Sequence, residues 1–157
     1  HLSVLEGAPR VLDFAKTQNI HCGVISNKRH AVLMREISHL SWDNYFFDAI
    51  GAGIAAKDKP AADPLHLMME RSGLGLQPHE IWMVGDTETD LAAGHAAGCP
   101  TVLITHGKEK ASLIETYKPI VVAEHCDAFL ASLKRLKSPA ATPLAPKTKL
   151  ARGHTIE

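Results

Sequence analysis

The stretch that decides the fold is residues 81–98, which read IWMVGDTETDLAAGHAAG. Its first four residues form an apolar run typical of a buried strand, and residues 88–97 fit a helix that ends at Gly98. Two carboxylates, Asp86 and Asp90, lie four residues apart at the junction. A strand that leads directly into a helix predicts an α/β unit, in which the helix covers one face of a sheet.

The same alternation of strands and helices extends along most of the chain. We predict the remaining strands at 22–26, 46–50, 101–104 and 120–122, and the remaining helices at 9–18, 29–40, 63–72, 111–117 and 126–136. Strands that are nearly all apolar and lie between helices indicate a parallel sheet covered on both faces. The predicted fold class is therefore α/β, with a doubly wound, Rossmann-like parallel sheet.

The composition favours one globular domain and excludes several classes of protein. The chain has 157 residues, 45% of them hydrophobic, and its 17 Lys and Arg balance 17 Asp and Glu. This balance argues against a disordered, collagenous or strongly nucleic-acid-binding chain. No apolar run approaches the roughly 18–20 residues that span a bilayer, and the start carries no signal-peptide pattern. Three scattered cysteines fit a reducing cytosol, so we expect a cytoplasmic protein. From the charge balance and the short apolar runs, we expect neither nucleic-acid nor membrane partners.

The composition changes once, near Ser138. Residues 138–157 are rich in Pro and Ala and lack apolar periodicity, which is typical of disorder. We therefore predict a core domain over residues 1–137 and a disordered tail over residues 138–157.

Polar residues follow the first two strands, at the edge where doubly wound sheets bind ligands. Ser26, Asn27 and Lys28 follow the first strand, and their hydroxyl, amide and backbone N–H groups can hold an anionic oxygen. Lys59 lies in the loop after the second strand and could balance acidic groups or a phosphoryl group. Simpler alternatives stay open, because Ser-Asn pairs are common in turns and most lysines are surface charges.

The third strand is followed by the two carboxylates. Asp86 leaves the strand end, and Asp90 can face the same side if the helix begins there. Paired carboxylates suit Mg²⁺, a hard cation that prefers oxygen ligands, although Asp86 or Thr87 could simply cap the helix. Taken together, a hydroxyl donor, an ammonium group and a metal-binding carboxylate are the parts that phosphoryl transfer needs.

These motifs resemble those of haloacid dehalogenase superfamily hydrolases of the phosphoglycolate-phosphatase-like branch. Residues 24–28, VISNK, resemble the second motif of the family, and residues 84–98 resemble the fourth closely. Residues 59–64, KPAADP, resemble the third motif, usually K-P-x-P-x-x, with Ala62 in place of the first of its spaced prolines. The match runs from about residue 5 to residue 136.

The resemblance implies a Mg²⁺-dependent phosphatase that hydrolyses a small phosphomonoester through an aspartyl-phosphate. It implies that Ser26 and the backbone at Asn27 bind the phosphoryl group, and that Lys59 neutralises the charge of phosphate and nucleophile. It also implies that Asp86 binds Mg²⁺, with Asp90 orienting Lys59 or a metal-bound water. The expected partner is a small phosphorylated metabolite; phosphoglycolate is the one the resemblance suggests, and a sugar phosphate or nucleotide is nearly as well supported.

The first motif of the family, D-x-D-G-T, supplies the nucleophile and has no counterpart in this chain. The resemblance places its strand in the middle of the sheet, between the strands ending at Ser26 and Val84. We therefore expect a partial core without that strand and without the cap, inactive as given, with both parts in a missing N-terminal segment of the same protein. Two alternatives stay open: a non-catalytic pseudo-phosphatase or interaction module with a remnant phosphate site, and a receiver-like domain that accepts phosphate on Asp86.

Overall fold

The computed structural model describes residues 4–136 and 149–153, in which helices and strands alternate. The helices are α1 (Ala8–Thr17), α2 (His30–His39), α3 (Asp63–Ser72), α4 (Glu88–Ala96), α5 (Ala111–Tyr117) and α6 (Cys126–Leu136). The strands are β1 (Cys22–Arg29), β2 (Phe46–Ala52), β3 (Ile81–Gly85), β4 (Thr101–Ile104), β5 (Val121–Ala123) and β6 (Lys149–Gly153), with a 3-10 turn at Pro78–Glu80. Every predicted element is present, and its bounds differ from the prediction by at most three residues.

The strands form one sheet in the order β2-β1-β6-β3-β4-β5, and each neighbouring pair is parallel. The chain moves outward from β1 to β2 on one side and from β3 to β5 on the other. This outward winding in two directions is the doubly wound arrangement, so the predicted α/β class is confirmed. The carboxyl ends of β1 and β3 therefore face the same edge, on either side of the switch point.

Helices cover both faces of the sheet through two apolar clusters. On one face, α1, α2 and α6 contribute Leu12, Leu33 and Phe129 to the buried core. On the other face, α3 and α4 contribute Leu65 and Ala93. Among the described residues, none of the helices is long and apolar enough to cross a bilayer.

The centre of the sheet is occupied by β6, which pairs with β1 on one side and with β3 on the other. Arg152 of β6 lies in register with Val24 of β1 and with Val84 of β3. The expected gap between these two strands is therefore located correctly, but in this chain the C-terminal segment fills it.

The prediction of a disordered tail over residues 138–157 is consequently wrong for Lys149–Gly153. The rest of the predicted tail lies outside the described residues. The physical reason for the error is that β1 and β3 would otherwise bury unpaired backbone N–H and C=O groups, which is costly. Pairing with these strands orders a segment that has no apolar run of its own.

Candidate functional site

The carboxyl end of β1 is irregular where the predicted phosphate-binding residues lie. The register between β1 and β2 shifts between Ile25 and Arg29. Within this irregular stretch Ser26 is buried, at 6% exposure, and its Oγ accepts a hydrogen bond of 3.2 Å from the backbone N–H of Lys28. The residues of this irregular stretch, Ser26, Asn27 and Lys28, line a cavity at the edge of the sheet.

Lys59 reaches this edge from the loop before α3 and is buried there. Its Nζ donates to the backbone carbonyl of Ile25 at 3.1 Å and to Asp90 Oδ1 at 2.5 Å. The side chains of Lys59 and Asp90 are 6% and 2% exposed. The amide of Asn27 donates to the backbone carbonyl of Lys59 at 2.7 Å, so the side chain of Asn27 fastens this loop to β1. A lysine buried to this degree requires a charged partner, and Asp90 supplies it.

Asp90 is fixed in turn by the start of α4. Thr87 is the N-cap of α4: its Oγ1 accepts from the backbone N–H of Asp90 at 3.4 Å. The other carboxylate oxygen of Asp90, Oδ2, accepts from the backbone N–H groups of Asp86 and Thr87 at 3.2 and 3.3 Å and from Thr87 Oγ1 at 3.0 Å. Both carboxylate oxygens therefore have donors, which offsets the desolvation of the buried charge.

Gly85 allows Asp90 to approach the end of β3. A Cβ atom at position 85 would lie 2.3 Å from Asp90 Cβ, closer than atoms can pack.

We expect Gly85→Ala to displace Asp90 and to lower the free energy of unfolding by about 1–3 kcal/mol, measured by urea denaturation. Gly23→Ala is the matched control, because the nearest atom there is the flexible Met68 sulfur at 2.5 Å. Equal losses in the two variants would contradict this account.

Asp86 directly follows β3, and its carboxylate turns toward the loop after β4. His106 Nε2 lies 3.1 Å from Asp86 Oδ2, and Lys110 Nζ donates to the Asp86 backbone carbonyl at 3.0 Å. Neither His106 nor Lys110 was predicted as a site residue. The signal in the sequence was their position just after the fourth strand, at the edge where ligands bind in such sheets.

A cavity of about 310 Å³ lies at the carboxyl edge of the sheet, beside Lys59 and Asp90. The lining residues are Ser26, Asn27, Lys28, Lys59, Thr87, Thr89 and Asp90. The structure thus brings together four of the five predicted site residues around one cavity. The fifth, Asp86, adjoins the cavity through its hydrogen bond to Asp90 and does not line it. Thr89, which was not predicted, lies one residue before Asp90 on the first turn of α4.

The side chains at this edge fit Mg²⁺ in its usual mode of binding. Mg²⁺ in phosphoryl-transfer sites takes one or two carboxylates and completes its shell with waters and phosphate oxygens. Asp86 is such a carboxylate, whereas both oxygens of Asp90 already accept from Lys59 and Thr87. The described residues contain no cluster of three or more His, Cys, Asp or Glu side chains that could hold a metal by themselves. A bound Mg²⁺ would therefore depend on Asp86 for its protein ligand.

Comparison with known proteins gives the class of the molecule. A sequence profile described as Haloacid dehalogenase-like hydrolase matches residues 1–104, about two thirds of the chain. The chain belongs to this family, as its second, third and fourth motifs predicted.

The more specific comparisons point to one kind of relative. The phosphoglycolate phosphatase of Escherichia coli strain K12 is 30% identical over 118 residues, which are 75% of this chain and 46% of that protein. The phosphoglycolate phosphatase of Salmonella choleraesuis strain SC-B67 is 30% identical over 128 residues, 80% of this chain and 50% of that protein. The chain thus spans about half the length of the curated relatives it matches.

Solved structures of the superfamily share the fold. A hydrolase of the superfamily from Ehrlichia chaffeensis aligns with a TM-score of 0.74 at 23% identity, covering 87% of this chain and 60% of that one. A subfamily IA hydrolase from Geobacter sulfurreducens aligns with a TM-score of 0.65 at 28% identity, covering 82% of this chain and 60% of that one. These alignments support the α/β fold of the chain.

Proposed function

We propose that this chain is the phosphate-binding part of a Mg²⁺-dependent phosphatase that hydrolyses a small phosphomonoester. The observation that carries the proposal is the buried ammonium group of Lys59, which lines a cavity next to the hydroxyl of Ser26. An ammonium group held at 8% exposure beside a hydroxyl offers hydrogen-bond donors that suit a phosphoryl group.

Each of these residues has a definite task in the proposed reaction. The Ser26 hydroxyl and the backbone N–H of Asn27 bind the phosphoryl oxygens, and Lys59 offsets the charge that builds up on them. Asp90 keeps the Lys59 ammonium group pointed at the cavity. Asp86 holds Mg²⁺, which when bound supplies further charge neutralisation at the phosphoryl oxygens.

The nucleophile of this reaction is proposed to come from a segment of the same protein that precedes His1, whose strand would take the place of β6 between β1 and β3. The only carboxylate among the described cavity-lining residues is Asp90, and it is paired with Lys59. Burial raises the pKa of Cys99 to about 11, so this thiol stays protonated and is not a nucleophile. An aspartate from the preceding segment attacks phosphorus and displaces the alkoxide, which takes a proton from water and leaves as the alcohol. A water molecule then hydrolyses the aspartyl-phosphate, which releases inorganic phosphate and restores the carboxylate.

The proposed substrate is a small phosphorylated metabolite of the phosphoglycolate type. Its support is the name of the relatives that align over 75–80% of this chain. A cytoplasmic location is part of the same proposal, because the three cysteines are buried thiols of the kind that a reducing compartment maintains.

The test compares the 157-residue chain with a form extended upstream in its reading frame. We expect no turnover of p-nitrophenyl phosphate by the chain alone, and Mg²⁺-dependent turnover by the extended form. In the extended form, Asp86→Asn should lower the rate by about 100-fold or more and weaken its Mg²⁺ dependence. Asp43→Asn, an exposed carboxylate beside α2, serves as the control. Turnover by the chain alone, or an unchanged rate in Asp86→Asn, would refute the assignment.

A second candidate function is a non-catalytic phosphate-binding module. The observation that favours it is β6, which completes the sheet from within the chain at the position where the resemblance expects the nucleophile-bearing strand. This candidate predicts binding of inorganic phosphate that depends on Lys59, with no turnover in any extended form. Detection of Mg²⁺-dependent turnover would eliminate it.

A further inference from the structure

The loop after β4 lies beside the proposed metal-binding residue because β3 and β4 are neighbours in the sheet. Gly85, the last residue of β3, lies in register with Leu103 of β4. Parallel neighbours end at the same edge, so the residues that follow them, Asp86 and the loop over 105–110, are adjacent there.

A tight turn directs the loop back toward Asp86. The backbone N–H of Lys108 donates to the carbonyl of Thr105 at 3.0 Å and closes the turn. Within it, His106 adopts φ +54° and Gly107 φ +71°. Positive φ at both central residues is the geometry that this kind of tight turn requires, and His is among the residues that adopt it more often than most.

The contacts of this loop fix Asp86 at two points. Since an ionised carboxylate can only accept, the ring Nε2 of His106 is the donor to Asp86 Oδ2, at 3.1 Å. The His106 side chain is 30% exposed and that of Asp86 is 15% exposed, so the contact is partly shielded from solvent. Lys110 holds the Asp86 backbone carbonyl at 3.0 Å from the same loop. The orientation of the Asp86 carboxylate is therefore set by the loop after β4 as well as by β3.

We propose that His106 is a positioning residue for Asp86: its imidazole holds the carboxylate in the orientation that binds Mg²⁺. This inference rests on the proposed function, because it assigns the metal to Asp86. Mg²⁺ demands a near-ideal octahedral arrangement, so a carboxylate free to rotate binds it less well than one held by a hydrogen bond. The loop over 105–110 is thus a fourth part of the site, beyond the three motifs that the sequence displays.

The experiment measures Mg²⁺ affinity in the 157-residue chain without any turnover. Amide resonances of Gly85 and Thr87 are followed in two-dimensional NMR spectra during a Mg²⁺ titration, which yields a Kd even in the millimolar range. His106→Ala should raise this Kd about 10-fold, in line with the effect of removing groups that hydrogen-bond to metal ligands. His106→Gln, whose side-chain amide can donate to the same oxygen, should recover most of the affinity.

Two further variants separate the possible failures. Lys108→Ala, on the exposed part of the same loop, should leave the Kd unchanged. Asp86→Asn should abolish the titration. The role of His106 is overturned if His106→Ala keeps the wild-type Kd, or if His106→Gln binds Mg²⁺ as weakly as His106→Ala. The metal assignment still stands in these cases, provided that Asp86→Asn abolishes binding. If Asp86→Asn binds Mg²⁺ like the wild type, the metal assignment of the proposed function is itself overturned.

Discussion

Replacing Lys59 with Met is expected to lower the free energy of unfolding by about 3–5 kcal/mol, the usual cost of removing one partner from a buried ion pair. The Nζ atom lies 2.5 Å from Asp90 Oδ1, and the two side chains are 6% and 2% exposed. Met occupies a similar volume without the charge, so the Asp90 carboxylate stays buried without its cation. Urea denaturation of the 157-residue chain measures the loss.

The double variant Lys59→Met with Asp90→Asn tests whether the charge is the cause. The neutral amide oxygen of Asn can still accept from Thr87, so we expect the double variant to be more stable than the sum of the two single losses predicts. Lys28→Met is the matched control: its Nζ lies 3.0 Å from Glu36 Oε1, but the lysine side chain is 32% exposed. A partly exposed pair contributes about 1 kcal/mol or less. Equal losses at positions 28 and 59 would show that burial of the Lys59 pair has no special consequence.

The elements that sequence reasoning predicted well are those whose own residues determine them. Residues 101–104 are a continuous apolar run and form β4 with the predicted bounds. Residues 88–97 begin after a threonine that caps them, and α4 begins there for that reason. In both cases the local pattern and the tertiary position favour the same structure, so pattern alone is sufficient.

The convergence of Ser26, Lys59 and Asp90 on one cavity could also be predicted, because the carboxyl ends of parallel strands share an edge. The individual contacts could not. The sequence left open whether Asp90 orients Lys59 or a metal-bound water, and the structure pairs it with Lys59 at 2.5 Å. It also gave no indication that the Asn27 amide would hold the Lys59 carbonyl, because that contact depends on the path of a loop 32 residues away.

The strand β6 is the element that local reasoning missed. Lys149-Leu-Ala-Arg-Gly153 contains two cations and has no apolar run, whereas a central parallel strand is usually apolar throughout. Its pairing follows from the unsatisfied backbone of β1 and β3, which is a property of the assembled sheet. No window of sequence around residues 149–153 carries that information.

Deleting residues 149–157 should therefore have a larger effect than any single substitution. β6 is in register with β1 at four positions and with β3 at four positions, and each buried backbone group left unpaired costs about 1–3 kcal/mol. The sum is comparable to the whole stability of a domain, about 5–15 kcal/mol. We expect the truncated chain to lose its cooperative unfolding transition and to aggregate, as judged by circular dichroism and light scattering. Deleting residues 154–157 alone is the control and should leave both measurements unchanged.

A cross-link tests the register of β6 directly in a chain that still folds. Leu150 is the register partner of Cys22, and adjacent strands lie about 4.8 Å apart, within the separation that a disulfide spans. Leu150→Cys should therefore form a bond to Cys22 under mild oxidation, identified by peptide mapping. Ala151→Cys is the control and should not cross-link, because its register partner on β1 is Gly23, which carries no thiol. Equal cross-linking of both variants, or of neither, would contradict this register of β6. If the truncated chain also unfolds like the wild type, the sheet does not need β6 at its centre.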